Sequence, residues 1–401
     1  MDLRTYLGRL TEYGSDQKKE NKYLCSRLPN STKLYNMHLY NKVDKRVLKQ
    51  KLIEEPFQRV TLSFYRYVNI PNPQEIRDQL FAEWAEINCF GRIYIAKEGI
   101  NAQMSVPEHN MELFKQNLNS RESLANMPLK IAVEDDGKSF YKLVVKVRKY
   151  IVADGLKPDD YDVTNVGTHL NAREWNDAMQ DENTVVVDMR NHYESEVGHF
   201  KGAVTPDCDT FRDELPMVLK ELEDKKDKKV LLYCTGGIRC EKASAFLKHH
   251  GYSDVYQLHG GIIDYKRQID RENLENLFEG KNFVFDERLG ERIGDEIISN
   301  CHQCGEPCDT HTNCNNDDCH LLFIQCEACA EKYAGCCSVK CKEFNELPVE
   351  EQRKLRKGKR KPKRNVYKKG RLRPHLDQFK RGDLILESPL KLDEQDKTAH
   401  A

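Results

Sequence analysis

Residues 230–233, Val-Leu-Leu-Tyr, form an apolar run that stops at Cys234-Thr235-Gly236-Gly237-Ile238-Arg239. A helical pattern follows at once, over 239–250. An apolar run without alternation reads as a strand buried on both faces. A second such run, Val185-Val186-Val187, lies upstream and ends in Asp188-Met189-Arg190. Strands alternating with loops and helices indicate an α/β domain built on a parallel sheet.

The loop itself suggests chemistry. It leads from a strand end into a helix N-terminus, where backbone N–H groups converge. Gly236 and Gly237 let the backbone approach one point closely. Such a nest favours an anion and lowers the pKa of a thiol. Cys234 is therefore the candidate nucleophile, competent to carry sulfur as a persulfide, with Arg239 as fixed positive charge. A buried structural cysteine is the bland alternative, which the glycine pair and the arginine oppose. Cysteine phosphatases need five residues between nucleophile and arginine, whereas this loop has four. Cys240 could resolve a persulfide on Cys234, or simply pack.

The flanks add Glu194, the Gly198-His199 pair and a closing Gly260-Gly261. Together with Asp188-Met189-Arg190 and the cysteine loop they resemble the rhodanese domain, over about 178–275. Asp188, Arg190 and His199 are expected to hold the fold rather than to react.

Ahead of this domain, 59–68 and 92–96 read as strands on either side of an amphipathic helix at 74–87. A strand beginning at Ile100, a helix near 108–118, and strands near 129–134 and 140–147 follow. The order βαββαβ is that of a ferredoxin or acylphosphatase-like unit. Lys97 and Gly99 mark a tight turn, which is either a plain β-hairpin turn or a place where a backbone could approach a ligand. The expected organisation is an extension and helix (1–58), the ferredoxin-like domain (59–153), a polar linker (154–177), the rhodanese domain (178–275), a Cys-rich segment (276–348) and a basic, disordered tail (349–401).

Ten of the fifteen cysteines lie between 301 and 341. No apolar leader opens the sequence, and no run reaches the roughly 18 apolar residues of a membrane helix. A reducing cytoplasm is the expectation, and there clustered thiols bind metal or react. Cys301-x-x-Cys304 and Cys326-x-x-Cys329 are separated by 21 residues and suit one four-thiolate zinc. A second site from Cys308, Cys314, Cys319 and a later cysteine is an open alternative, as are reversible disulfides or an iron–sulfur cluster.

Formal net charge is -1, but 353–373 hold thirteen Lys or Arg and no acid. The expected polyanion contacts are Arg353, Lys354, Arg356, Lys357, Lys359, Arg360, Lys361, Lys363 and Arg364, with Tyr367 interleaved. Nucleic acid is the first candidate partner.

Taken in order, the segment from Ala96-Lys97-Glu98-Gly99-Ile100-Asn101-Ala102, the extended loop through Cys240-Glu241-Lys242 and the downstream cysteines resemble the rhodanese-related tRNA uridine hydroxylases of bacteria. The resemblance runs from about Met37 into the tail. It implies oxygen-dependent 5-hydroxylation of the wobble uridine, position 34 of tRNA, with Cys234 matching the catalytic cysteine. It also implies molecular oxygen as co-substrate and the anticodon stem-loop as the contact. Read without it, the loop predicts sulfur transfer. The residues show no familiar flavin or haem motif. A sulfurtransferase and an RNA-binding scaffold on a retired rhodanese fold are the competing readings.

Overall fold

The computed structural model describes residues 43–156 and 160–357. A nine-residue helix, α1 (Lys45–Ile53), leads in, and only Leu52 of it is buried. The first domain is β1 (Arg59–Tyr67), α2 (Pro73–Glu86), β2 (Phe90–Ala96), β3 (Gly99–Pro107), α3 (Met111–Asn119), β4 (Lys130–Ile131) and β5 (Leu143–Val147). The sheet order is β4-β1-β3-β2-β5. β3 is antiparallel to both β1 and β2. It is thus inserted between them, as a split βαβ unit requires. Trp84 of α2 and Phe114 of α3 pack with Phe64 of β1 under the sheet.

The tight turn between β2 and β3 is a β-hairpin turn, with Ala96 paired to Gly99. Gly99 has φ +144°, and a Cβ there would lie 2.0 Å from the carbonyl oxygen of Arg66. The close approach at this glycine is to the chain's own strand β1.

The second domain contains β6 (Thr168–Leu170), α4 (Ala172–Met179), β7 (Thr184–Asp188), α5 (His192–Ser195), β8 (Gly198–Phe200), α6 (Phe211–Glu221), β9 (Lys229–Tyr233), α7 (Ile238–His249), β10 (Val255–Leu258) and α8 (Gly261–Glu272). Its parallel sheet has the order β6-β10-β9-β7. β9 is central, which is why it reads as an unbroken apolar run. Its residues Val230 to Tyr233 are all buried. Cys234 follows at its carboxyl end, where open α/β sheets bind ligands.

The expected linker, 154–177, is not all connector. β6 is an edge strand beside β10, and α4 begins at Ala172 behind a capping box of Asn171 and Glu174. Trp175 is fully buried against Phe200 and Tyr233. One tryptophan in a polar stretch left too little periodicity to reveal the helix.

β11 (Phe278–Asn282) pairs with β8 and with β12 (Glu291–Arg292). The Cys-rich region then forms β13 (His311–Asn313), β14 (Leu322–Ile324), α9 (Glu327–Lys332), α10 (Val339–Glu346) and α11 (Val349–Arg356). The start of the expected disordered tail is therefore helical. Glu350 and Glu351 sit in the first turn of α11 and Arg353, Lys354 and Arg356 in the last, which complements the helix dipole. Residues 1–42, with the extension, and 358–401, with Lys359, Arg360, Lys361, Lys363, Arg364 and Tyr367, lie outside the described residues.

Candidate active site and metal centres

Cys234 is held by the loop's own backbone. Gly237 N donates to its Sγ at 3.1 Å. Gly237 adopts φ +94°, a conformation costly for residues with a side chain. Burial opposes the Cys234 thiolate. A hydrogen bond from the Cys240 thiol, the charge of Arg239 and the N–H groups of Arg239 and Cys240 more than offset it, and the pKa falls to about 5. Cys240, fully buried and bonded to the thiolate, is pushed well above the usual thiol range. It remains the proton donor of the pair.

Arg239 does not face the thiolate as a free charge. Its Nη1 and Nη2 donate to Glu194 Oε1 and Oε2 at 2.7 and 2.8 Å. The pair is buried. Arg239 supports Cys234 through its charge at longer range, beside the Cys240 thiol and the loop's N–H groups. Gly236 has a different part from Gly237, because a Cβ there would meet nothing within 4 Å. The loop is open at that point.

The flanking residues hold the loop in place. Arg190 donates to Asp188 through Nε and Nη2 at 2.8 and 2.6 Å, and also to the Gly198 carbonyl. Tyr233 Oη, next to the nucleophile, donates to Asp188 at 2.8 Å. His199 Nδ1 lies 2.9 Å from the Ser195 carbonyl oxygen. The closing glycines bring in α8: Ile262 N and Ile263 N donate to the carbonyls of Cys234 and Thr235.

The first domain covers this loop. Tyr65 Oη donates to Glu241 at 2.9 Å, and Tyr67 Oη reaches the Ile238 carbonyl at 3.3 Å. Lys242 meets Glu98 at 3.1 Å and Asp154 at 2.9 Å. A cavity of about 940 Å³ opens between the two domains, with Cys234, Thr235, Gly236 and Arg239 on one wall and Tyr65, Tyr94 and Lys130 on the other.

Two four-thiolate clusters lie downstream. Cys301, Cys304, Cys326 and Cys329 form the expected set, with all sulfurs within 4.8 Å of one another. Cys304 and Cys326 are 3.6 Å apart. Tetrahedral ligands about 2.3 Å from a zinc ion sit about 3.8 Å from one another, so the set fits a single ion. The second set is Cys314, Cys319, Cys337 and Cys341. Its Cys319–Cys337 and Cys337–Cys341 contacts are both 3.7 Å. Cys308 stands outside it, so the second set differs from the expected one. The Cys337-x-x-x-Cys341 spacing was visible in the sequence, but its partners were not. All fourteen described cysteines are free of disulfides.

Of the predicted nucleic-acid contacts, Arg353 pairs with Glu350 at 2.7 Å and Arg356 with Asp318 at 3.0 Å. Lys354 and Lys357 are exposed.

The comparisons with known proteins agree with this architecture. A tRNA uridine(34) hydroxylase of Leptospira interrogans is 56% identical over 360 residues, spanning 90% of this chain and 98% of the relative. The protein of the same name from Escherichia fergusonii is 51% identical over 341 residues, 85% and 97% of the two chains. The chain belongs to the tRNA uridine(34) hydroxylase family. Within it, the UPF0176 acylphosphatase like domain matches residues 59–151. The Rhodanese-like domain matches 171–268, which takes in α4, and the Rhodanase C-terminal matches 279–342. A third family member, from Photorhabdus laumondii, is 52% identical over 322 residues, 80% of this chain and 92% of its own.

Proposed function

We propose that this protein hydroxylates C5 of uridine 34 in tRNA, with Cys234 as the nucleophile. The observation that carries the reading is the near full-length identity to proteins of that name. The geometry supports it through a thiol with a pKa of about 5 on the wall of a cavity large enough for a nucleotide.

The thiolate adds to C6 of the pyrimidine ring. The C5–C6 π electrons move toward C4, charge gathers on O4, and C5 becomes electron-rich. Oxidation then occurs at C5, and loss of the C5 proton with departure of the sulfur restores the C5–C6 double bond. With dioxygen as oxidant, one atom enters at C5, the other leaves as water, and a reductant supplies two electrons. The anticodon stem-loop is the contact surface this reaction requires, and a tRNA substrate supports a cytoplasmic location.

We assign zinc to both thiolate sets. Sulfurs packed within 4.8 Å enclose one ion, whereas an iron–sulfur cube spreads its four thiolates over four irons. Four protein ligands leave no open position, so these ions support the fold and not the chemistry.

The same cradle suits a persulfide, so the nucleosides of a deletion strain separate the two enzymatic readings. Nucleosides from cells lacking the gene should be missing 5-hydroxyuridine derivatives. Loss of thiolated nucleosides instead would replace hydroxylation by sulfur transfer.

A further inference from the structure

The cavity's cations differ in their partners: among the described residues Lys130 and Lys142 have no carboxylate partner, and Arg92 donates only to the Phe285 carbonyl. Arg239 is bound by Glu194, and Arg288 is bound by Asp286 and Glu291. Lys130 stands on the edge strand β4, opposite Ser63 of β1. Among the described residues, no carboxylate pairs with its ammonium and no acceptor takes a hydrogen bond from it. Its Nζ instead faces the ring of Tyr65, whose centroid is 4.4 Å away. Tyr65 in turn lies against the nucleophile's loop, since a Cβ on Gly237 would come within 2.9 Å of its Oη. Lys130 and Cys234 line the same cavity. Burial lowers the lysine's proton affinity, while Asp264, Cys234 and Glu241 pull the other way.

A second group of lysines has a different setting. Lys45, Lys49 and Lys142 surround the ring of Tyr141 at 5.8, 5.7 and 5.5 Å, and Tyr141 and Lys142 also line the cavity. Lys49 is already paired with Glu287.

We propose that the interdomain cavity receives an unstacked uracil base, with Lys130 donating to its O4 from the wall opposite Cys234. The inference rests on the reading of the chain as a uridine hydroxylase and supplies the residue that reads and activates the base. Enzymes that act on a base take it out of the stack and hold it among aromatic side chains. As the Cys234 sulfur bonds to C6, one electron pair leaves the C5–C6 bond for C5–C4, and the C4–O4 π pair moves onto O4. The thiolate charge thus becomes an enolate charge, which the Lys130 N–H stabilises. Oxidation at C5 takes the enolate pair into the new C5–O bond and restores C4=O4. Loss of the C5 proton then returns its pair to C5–C6 as the C6–S pair leaves with the thiolate, and the lysine keeps its proton. A preorganised donor at a developing oxyanion acts on the transition state, not on ground-state affinity. Lys45 and Lys142, at the aromatic rim, face the phosphates and contribute affinity.

The test uses the full chain and a tRNA transcript carrying uridine 34. Single-turnover hydroxylation at saturating tRNA is measured beside tRNA Kd for Lys130→Met, Lys130→Gln, Lys130→Arg and the double variant K45A/K142A. Loss of one such donor should lower the saturating rate about 100-fold in both neutral variants, with Kd within about threefold, and Lys130→Arg should recover most of it. K45A/K142A should raise Kd and leave the saturating rate near wild type. Melting temperature selects the neutral variant that is folded. An unchanged saturating rate, or a defect lying wholly in Kd, overturns the assignment of Lys130 to the base. Wild-type protein that leaves uridine 34 untouched refutes the hydroxylase reading instead.

Discussion

Glu98 Oε2 lies 3.1 Å from Nζ of Lys242, joining the first domain's β2–β3 turn to the helix behind the nucleophile. The two residues belong to separate motifs, one around Ala96–Ala102 and one following Cys234. Asp154 completes the contact at 2.9 Å, and the ammonium also donates to the Val152 carbonyl. The Lys242 side chain is 3% exposed and Asp154 is buried beside it, while Glu98 is a quarter exposed, so the cation is a buried link that fixes how the domains face the shared cavity.

Removing only the cation should be costly. Lys242→Met leaves Glu98 and Asp154 without their partner, and breaking a buried pair in this way typically costs about 3–5 kcal/mol. Adding Glu98→Gln and Asp154→Asn should recover part of that. Urea denaturation midpoints of the single and triple variants check it.

Cys234 should react as a thiolate well below the usual thiol range. Its pKa of about 5 predicts that alkylation by iodoacetamide is flat from about pH 6 to 8 and falls as pH drops through about 5. An ordinary cysteine would instead gain reactivity up to about pH 8.5. Mass spectrometry of the peptide containing Cys234 reads the rate at each pH. Cys234→Ser should abolish tRNA hydroxylation, and full activity in that variant would end the covalent mechanism.

Glu194→Gln should destabilise the loop without touching the nucleophile directly. The variant leaves the Arg239 guanidinium buried and uncompensated, at a cost of about 3 kcal/mol. With Glu194 neutral, Arg239 should also hold the Cys234 pKa lower than in the wild type. A thermal melt and the alkylation profile test the two effects separately.

Two ions should accompany each chain. Cys304→Ser and Cys319→Ser fall in different thiolate sets, so each should lower the metal content by one and leave the other ion in place. Elemental analysis of anaerobically purified protein checks the number and identifies the metal. Iron in place of zinc would overturn the zinc assignment.

Deleting 358–376 should weaken tRNA binding and flatten its dependence on salt. The segment contains nine Lys or Arg. Each phosphate that the shortened chain leaves unneutralised takes about 0.7–0.9 from the log–log salt slope. The deletion spares Arg353 and Arg356, which the structure pairs with Glu350 and Asp318. Filter binding across a salt series provides the measurement.

Local patterns were the legible part. β9 and its loop, the individual strands of the first domain and the pairs Cys301–Cys304 and Cys326–Cys329 each occupy a few consecutive residues. A strand's period or a chelating pair is complete within such a span. α4 was missed because a polar surface and one buried tryptophan carry little periodic signal. α11 was missed because its basic last turn merges with the charge run beyond it.

The sequence by itself determined that this chain has a cysteine in a glycine-rich βα loop, a ferredoxin-like partner domain and thiols enough for metal. Tertiary structure alone decided what those groups face. Arg239 is neutralised by Glu194, 45 residues away, and Lys242 by Glu98, 144 residues away. Cys337 and Cys341 join Cys314 and Cys319, and Lys130 comes to share a cavity with Cys234. The strength of a charge depends on burial and on its nearest counter-charge. In a folded chain both are set by residues that sequence distance does not bring together.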